Sequence, residues 1–285
     1  MSKLKKALAK AKETRKFEGR NLYKSDVDKK SKSLGRQKLQ AETECRREAD
    51  ICYSETKIKK IDDDILRKGK VISLFHDIEK IDQIKTLRTQ ILNHLGKVGG
   101  NSLLITSAKP YEGKTFTAIN LGVSIAQELD RTVLIVDADL RKHTRYHKDF
   151  ATDFFGTNMD EGLSNYLLGQ AEIPDLLINP GIERLVLLPA GRPLTNSAEL
   201  LGSPRMVKLV NDIKNRYTDD RIIIFDCASL LSCADPLILT RYVDGILLVV
   251  EEEKTTSAEI ARTMELLKDR PIVGTILNKA NAMVN

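Results

Sequence analysis

Residues 103–115 read LLITSAKPYEGKT: a short apolar run, a polar loop, and a Gly113-Lys114-Thr115 ending. The residues that follow, up to 128, carry an apolar pattern of helical period, so the loop joins a strand to a helix. Counting back from Gly113 places Ala108 at the first position of an A/G-x-x-x-x-G-K-S/T loop. These residue types fit one chemistry. A loop that closes around phosphates turns its backbone N–H groups inward, needs glycine where main chain and anion approach, and aims the positive end of the next helix at the charge. The loop residues Ala108, Lys109, Pro110, Tyr111, Glu112, Gly113, Lys114, Thr115 and Phe116 are therefore the expected nucleotide-binding set. Lys114 is expected on the β- and γ-phosphates, and the Thr115 hydroxyl on Mg²⁺.

Outward from this loop, apolar runs fall at residues 132–137, 184–188, 221–226, 245–250 and 272–277. Helical patterns separate them, at 114–128, 198–217, 234–242 and 255–268. The runs are apolar throughout and do not alternate, as strands covered on both faces require. The fold expected is α/β: a parallel β-sheet flanked by helices, of the P-loop NTPase kind.

Two of these runs end in carboxylates. TVLIVDADLRKH, residues 132–143, reaches Asp137-x-Asp139, and RIIIFD, residues 221–226, reaches Asp226. Ligands of open parallel sheets gather at the carboxyl ends of strands, so the ends of three strands can serve one site. Asp226 reads as the Walker B carboxylate that holds Mg²⁺. Asp137 is placed to accept a proton from an attacking hydroxyl or water.

Charge divides the chain of 285 residues. Residues 1–70 hold 22 Lys and Arg against 12 Asp and Glu, which leaves 24 against 28 for residues 71–285. A leader of +10 thus precedes a body of −4, so a nucleic-acid partner is not expected for the body, whose surface would have to supply the positive charge. Within the leader, Leu4, Ala7, Leu8 and Ala11 recur at helical spacing among lysines, and residues 18–68 read as a polar linker. The domain boundary is expected at residue 70. No stretch is long and apolar enough to span a bilayer, and Cys45, Cys52, Cys227 and Cys233 form no CxxC pair, so a cytoplasmic chain is expected. The basic leader could place it at the inner face of the membrane, on anionic lipid.

With these residues in view, the chain resembles the bacterial tyrosine kinases of capsule and exopolysaccharide export, a branch of the P-loop ATPases related to MinD and ParA. The resemblance covers residues 75–280. It rests on DQIKTLRTQI (82–91), SAKPYEGKTFTAINLGVSIAQ (107–127), VDADLRK (136–142), LPAGRPLTNSAELLGSPRM (188–206) and TILNKA (275–280). It implies ATP and Mg²⁺ as cofactors, with Lys114, Asp137 and Asp139 catalytic and Thr115, Asp137 and Asp226 on the metal. Asn278 corresponds to an asparagine that contacts adenine, and Asp82-x-x-Lys85-x-x-Arg88 to a helix that assembles rings. A homo-oligomer and a membrane-bound polysaccharide co-polymerase or activator are the implied partners.

The chain departs from that pattern in places. Tyr111 stands where the family has glycine, and Cys227-Ala228-Ser229 follow Asp226, which reads as a variant switch segment with Asp235 still at the family's spacing. No tyrosine follows Tyr242, whereas autophosphorylating members carry a C-terminal tyrosine cluster. Tyr23 and Tyr53 are the alternative acceptors, and Lys109 reads as a solvated loop lysine. Three functions are thus in play: a tyrosine autokinase, a regulatory ATPase that switches assembly with a membrane partner, and a ParA-like positioning ATPase.

Overall fold

The computed structural model describes residues 57–75, 78–141, 154–156, 160–215 and 220–280. All of them belong to the compact unit that starts at Tyr53. The expected leader helix, Tyr23 and Tyr53 itself lie outside the described residues.

Eight strands form one sheet: β1 (Lys57–Ile58), β2 (Ser102–Ser107), β3 (Thr132–Asp137), β4 (Ile178–Asn179), β5 (Leu185–Leu188), β6 (Arg221–Asp226), β7 (Gly245–Glu251) and β8 (Ile272–Asn278). Their order is β1-β4-β5-β3-β6-β2-β7-β8. Every pairing is parallel except β4 with β5. The six runs expected from the sequence are β2, β3, β5, β6, β7 and β8. The other two strands are dipeptides at one side of the sheet.

Alternation along the strands builds two cores. Leu104, Leu134, Val136, Ile223, Phe225 and Leu248 point to one face, and Leu103, Ile105, Val133, Ile135, Ile224 and Val249 to the other. On the first face lie α4 (Leu163–Leu167), α6 (Ser197–Leu201), α7 (Pro204–Asn215) and α8 (Asp235–Leu239). On the second lie α1 (Asp63–Lys68), α2 (Ile78–Val98) and α3 (Lys114–Ala126). The short α5 (Ile173–Leu176) and α9 (Ser257–Leu266) complete the set. The result is a three-layer α/β/α body. Helix α3 is almost wholly buried and approaches the sheet so closely that a Cβ at Gly122 would stand 2.6 Å from the Ile135 Cδ1 atom.

Two expectations need correction. The single helix expected over 198–217 is two helices, because Gly202-Ser203 ends α6 and Pro204 starts α7. The end of the linker expected over residues 18–68 belongs to the fold from Lys57 onward. β1 pairs with β4, Asp62 caps α1 by accepting the Asp64 N–H at 2.8 Å, and Ile61, Leu66 and Val71 are buried. The three aspartates that made this stretch look like linker are instead the N-terminal cap and first turn of a helix, where negative charge is stabilising.

Candidate active site

The loop between β2 and α3 contains only one glycine, and polar struts set its shape. The buried Glu112 carboxylate accepts the Lys109 N–H at 2.9 Å and the Thr255 hydroxyl. Ser107 Oγ donates to the Lys109 carbonyl at 2.6 Å, and Lys279 Nζ to the Tyr111 carbonyl at 2.7 Å. Asn278 Nδ2 donates to the Glu112 carbonyl at 2.8 Å. Gly113, at φ +100°, caps α3 with no side-chain hydrogen bond, so the first N–H groups of the helix are left for an anion. Tyr111 has φ +69°, which explains the glycine of the resembling family. This chain keeps the left-handed conformation with a side chain present, at a cost of about 1–2 kcal/mol.

A cavity of about 900 Å³ opens over the loop. Of the residues expected at the nucleotide, Pro110, Tyr111, Gly113, Lys114, Thr115, Phe116 and Asn278 line it. Ala108, Lys109 and Glu112 do not; Ala108 and Glu112 are buried behind it. The solvated reading of Lys109 is corrected: its Nζ donates to the Lys254 carbonyl at 2.8 Å and pairs with Glu259 at 2.9 Å, which fastens the loop to the start of α9.

Asp137 and Asp226 are register partners at the ends of the adjacent strands β3 and β6. They are 0% and 1% exposed and lie beneath the cavity lining, whereas Asp139 is part of that lining. Asp137 Oδ1 accepts the Asp139 N–H at 3.1 Å, which ties the two carboxylate positions together. Side-by-side carboxylates are oxygen donors suited to a hard divalent cation.

Sequence reading missed several members of the lining. Arg141, two residues beyond Asp139, contributes to it, and its Nε is held by Ser197 Oγ at 2.8 Å and by the buried Asp235 carboxylate at 3.1 Å. Ser197 Oγ also donates to Asp235 at 2.6 Å. Asp235 keeps the family's spacing in sequence, and the fold adds that it anchors Arg141. Ser229, Ser232, Cys233 and Lys279 also line the cavity. In the variant segment, the Cys227 thiol is fully buried, 3.9 Å from the Ala138 carbonyl, and burial pushes its pKa well up. It packs as an inert apolar side chain.

The Asp82-x-x-Lys85-x-x-Arg88 pattern lies on α2. Its Arg88 turns onto its own chain, donating to the Ser124 carbonyl at 2.7 Å and pairing with Glu128 at 3.0 Å, while Asp82 and Lys85 stay exposed.

A phosphate loop after a central parallel strand, with aspartates ending two neighbouring strands, defines a P-loop ATPase that binds nucleotide. The AAA domain family matches residues 102–272. The tyrosine-protein kinase YwqD of Bacillus subtilis is 35% identical over 199 residues, which cover 69% of this chain and 80% of that protein. The putative tyrosine-protein kinase CapB of Staphylococcus aureus is 28% identical over 219 residues, 75% of this chain and 92% of that one. In structure, the chimerical protein CapA2B2 superposes with a TM-score of 0.65 at 25% identity, covering 79% of this chain and 93% of that chain. The chain belongs to the AAA-type P-loop family of bacterial tyrosine kinases.

Among the described residues, no helix is long and apolar enough to cross a membrane.

Proposed function

We propose that the chain is an ATP-dependent protein-tyrosine kinase, acting on itself and on partners in polysaccharide export. The observation that carries this reading is the placement of Asp139 on the wall of the cavity that Lys114 and Thr115 also line. A hydroxyl bound there meets a carboxylate and a phosphate loop at once.

Each residue then has a task. Lys114 and the first N–H groups of α3 hold the β- and γ-phosphates and neutralise the charge that grows during transfer. The proton-accepting role expected of Asp137 passes to Asp139, because Asp137 is buried and Asp139 lines the cavity. Asp139 takes the proton of the tyrosine hydroxyl; the phenolic oxygen bonds to the γ-phosphorus, and the bond from that phosphorus to the bridging oxygen breaks, which releases ADP. Asp137 keeps the Asp139 loop in place through the bond from the Asp139 N–H and, with Thr115 and Asp226, would hold Mg²⁺. Mg²⁺ held there would supply charge neutralisation for the transfer. Arg141, fixed by Asp235, presents a cation on the same side. Asn278 and Tyr111 border the region left for the base.

The partners and place of action follow from the same reading. A membrane-bound polysaccharide co-polymerase serves as activator, copies of the chain assemble with one another, and the +10 leader of residues 1–70 rests on anionic lipid at the cytoplasmic face.

Asp139→Asn tests the assignment. Phosphotyrosine formation is expected to fall at least 100-fold while ADP affinity changes little. An unchanged rate would remove Asp139 from the chemistry.

A further inference from the structure

Three walls supply most of the cavity lining. The loop and the end of β8 serve the nucleotide, and the segments after β3 and β6 serve the transfer. The third wall is the turn after α1, residues 68–72, which contributes Lys68, Gly69, Lys70 and Ile72. The lining as a whole carries six Lys or Arg side chains against one carboxylate, Asp139. Lys114 belongs to the phosphates, Lys279 is paired with Glu251 at 2.9 Å, and Arg141 with Asp235. The charges of Lys68 and Lys70 are therefore surplus to the nucleotide.

This third wall is built to a fixed position. Lys70 stands at φ +59°, with its N–H on the Arg67 carbonyl at 3.0 Å and its carbonyl accepting Asn120 Nδ2 at 3.1 Å. Asn120 sits on α3, and the same Nδ2 donates to the Phe116 carbonyl, within the first turn after Lys114. The lysine wall is thus in register with the phosphate end of the site. Lys68 and Lys70 are themselves exposed, so a bound chain can reach them.

We propose that residues 68–72 form the acceptor subsite and select tyrosines that lie in acidic peptide segments. The inference rests on the kinase reading above and names its substrate class. Carboxylates flanking the tyrosine pair with Lys68 and Lys70 and place the phenol toward Asp139. Complementary charge of this kind sets specificity and weakens with salt.

The test uses the full chain loaded with ADP and two synthetic fluorescent peptides, each with one tyrosine, flanked by glutamates in one and by serines in the other. Fluorescence anisotropy is expected to show about tenfold tighter binding of the acidic peptide, lost as ionic strength rises. Lys68→Glu with Lys70→Glu is expected to abolish that preference, and Lys68→Arg with Lys70→Arg to restore it, with ADP affinity unmoved. Equal binding of both peptides, or a charge reversal that weakens ADP and not the peptide, would overturn the proposal. Phosphotyrosine assayed in parallel with Mg-ATP keeps the two readings apart. An acidic peptide that binds through the lysines yet is never phosphorylated would count against the kinase and leave the acidic subsite standing.

Discussion

The side-chain amide of Asn278 donates to the Glu112 carbonyl at 2.8 Å and fills the space beside Gly113, where an added Cβ would stand 1.9 Å from Asn278 Nδ2. The last strand thereby braces the phosphate loop. Family resemblance assigns this position to the adenine; the geometry adds the role of a strut. Asn278→Ala is expected to weaken ATP binding about fivefold, the value of one hydrogen bond of about 1 kcal/mol. Inorganic triphosphate, which has no base, should lose affinity by the same factor. Titration calorimetry with both ligands separates the roles, since a pure base contact would leave triphosphate binding untouched.

Asn120 ties the N-terminal segment to the phosphate-loop helix. Its Oδ1 accepts the Ser73 N–H at 3.1 Å, its Nδ2 serves the Lys70 and Phe116 carbonyls, and its own carbonyl accepts Ser73 Oγ at 2.8 Å. The site is buried, so removal leaves polar groups without partners. Asn120→Ala should cost about 2–3 kcal/mol of stability. Faster amide hydrogen exchange is expected across residues 57–75, while the β3 and β6 amides follow only the global change. Unaltered exchange in that segment would show that the latch contributes nothing.

Asp244 closes the other end of the sheet, accepting from the Asn101 and Ser102 N–H groups at 3.0 Å, from Ser102 Oγ at 2.6 Å, and from Lys214 Nζ at 2.9 Å. Burial alone would raise its pKa; the bonds from Ser102 and Lys214 outweigh that and hold it below the ordinary 3.8. A carboxylate depressed on folding adds stability above its unfolded pKa and loses it as pH falls through the folded value. Asp244→Asn is therefore expected to cost about 1 kcal/mol at neutral pH. The gap to wild type should narrow once the pH drops below 3.8, where Asp244 itself takes up a proton. Urea denaturation at a series of pH values checks this, and a gap that widens toward acid would contradict it.

The elements that could be read from sequence are those whose cause is local. The loop 108–115 carries its chemistry in adjacent residues, and β2, β3, β5, β6, β7 and β8 are continuous apolar runs because both faces are covered. Strands β1 and β4 are two residues each, too short to show any period. The break between α6 and α7 was legible in Gly202-Ser203-Pro204 but was outweighed by the apolar period on either side. The rest depends on pairs distant in sequence. Ser73 meets Asn120, Arg141 meets Asp235, and Glu112 meets Thr255, and no spacing rule connects those positions. The same limit hides the third wall of the site, since no spacing rule connects Lys70 to Asn120.

The most direct test of the account is phosphotyrosine mapping by mass spectrometry after incubation of the full chain with Mg-ATP, beside Lys114→Ala. Tyrosine phosphate is expected on the wild type and at least 100-fold less on Lys114→Ala, which lacks the charge that neutralises the transferring phosphoryl group. Unmodified tyrosines in a wild-type protein that still binds or hydrolyses ATP would contradict it, and would leave a nucleotide-operated assembly switch as the function.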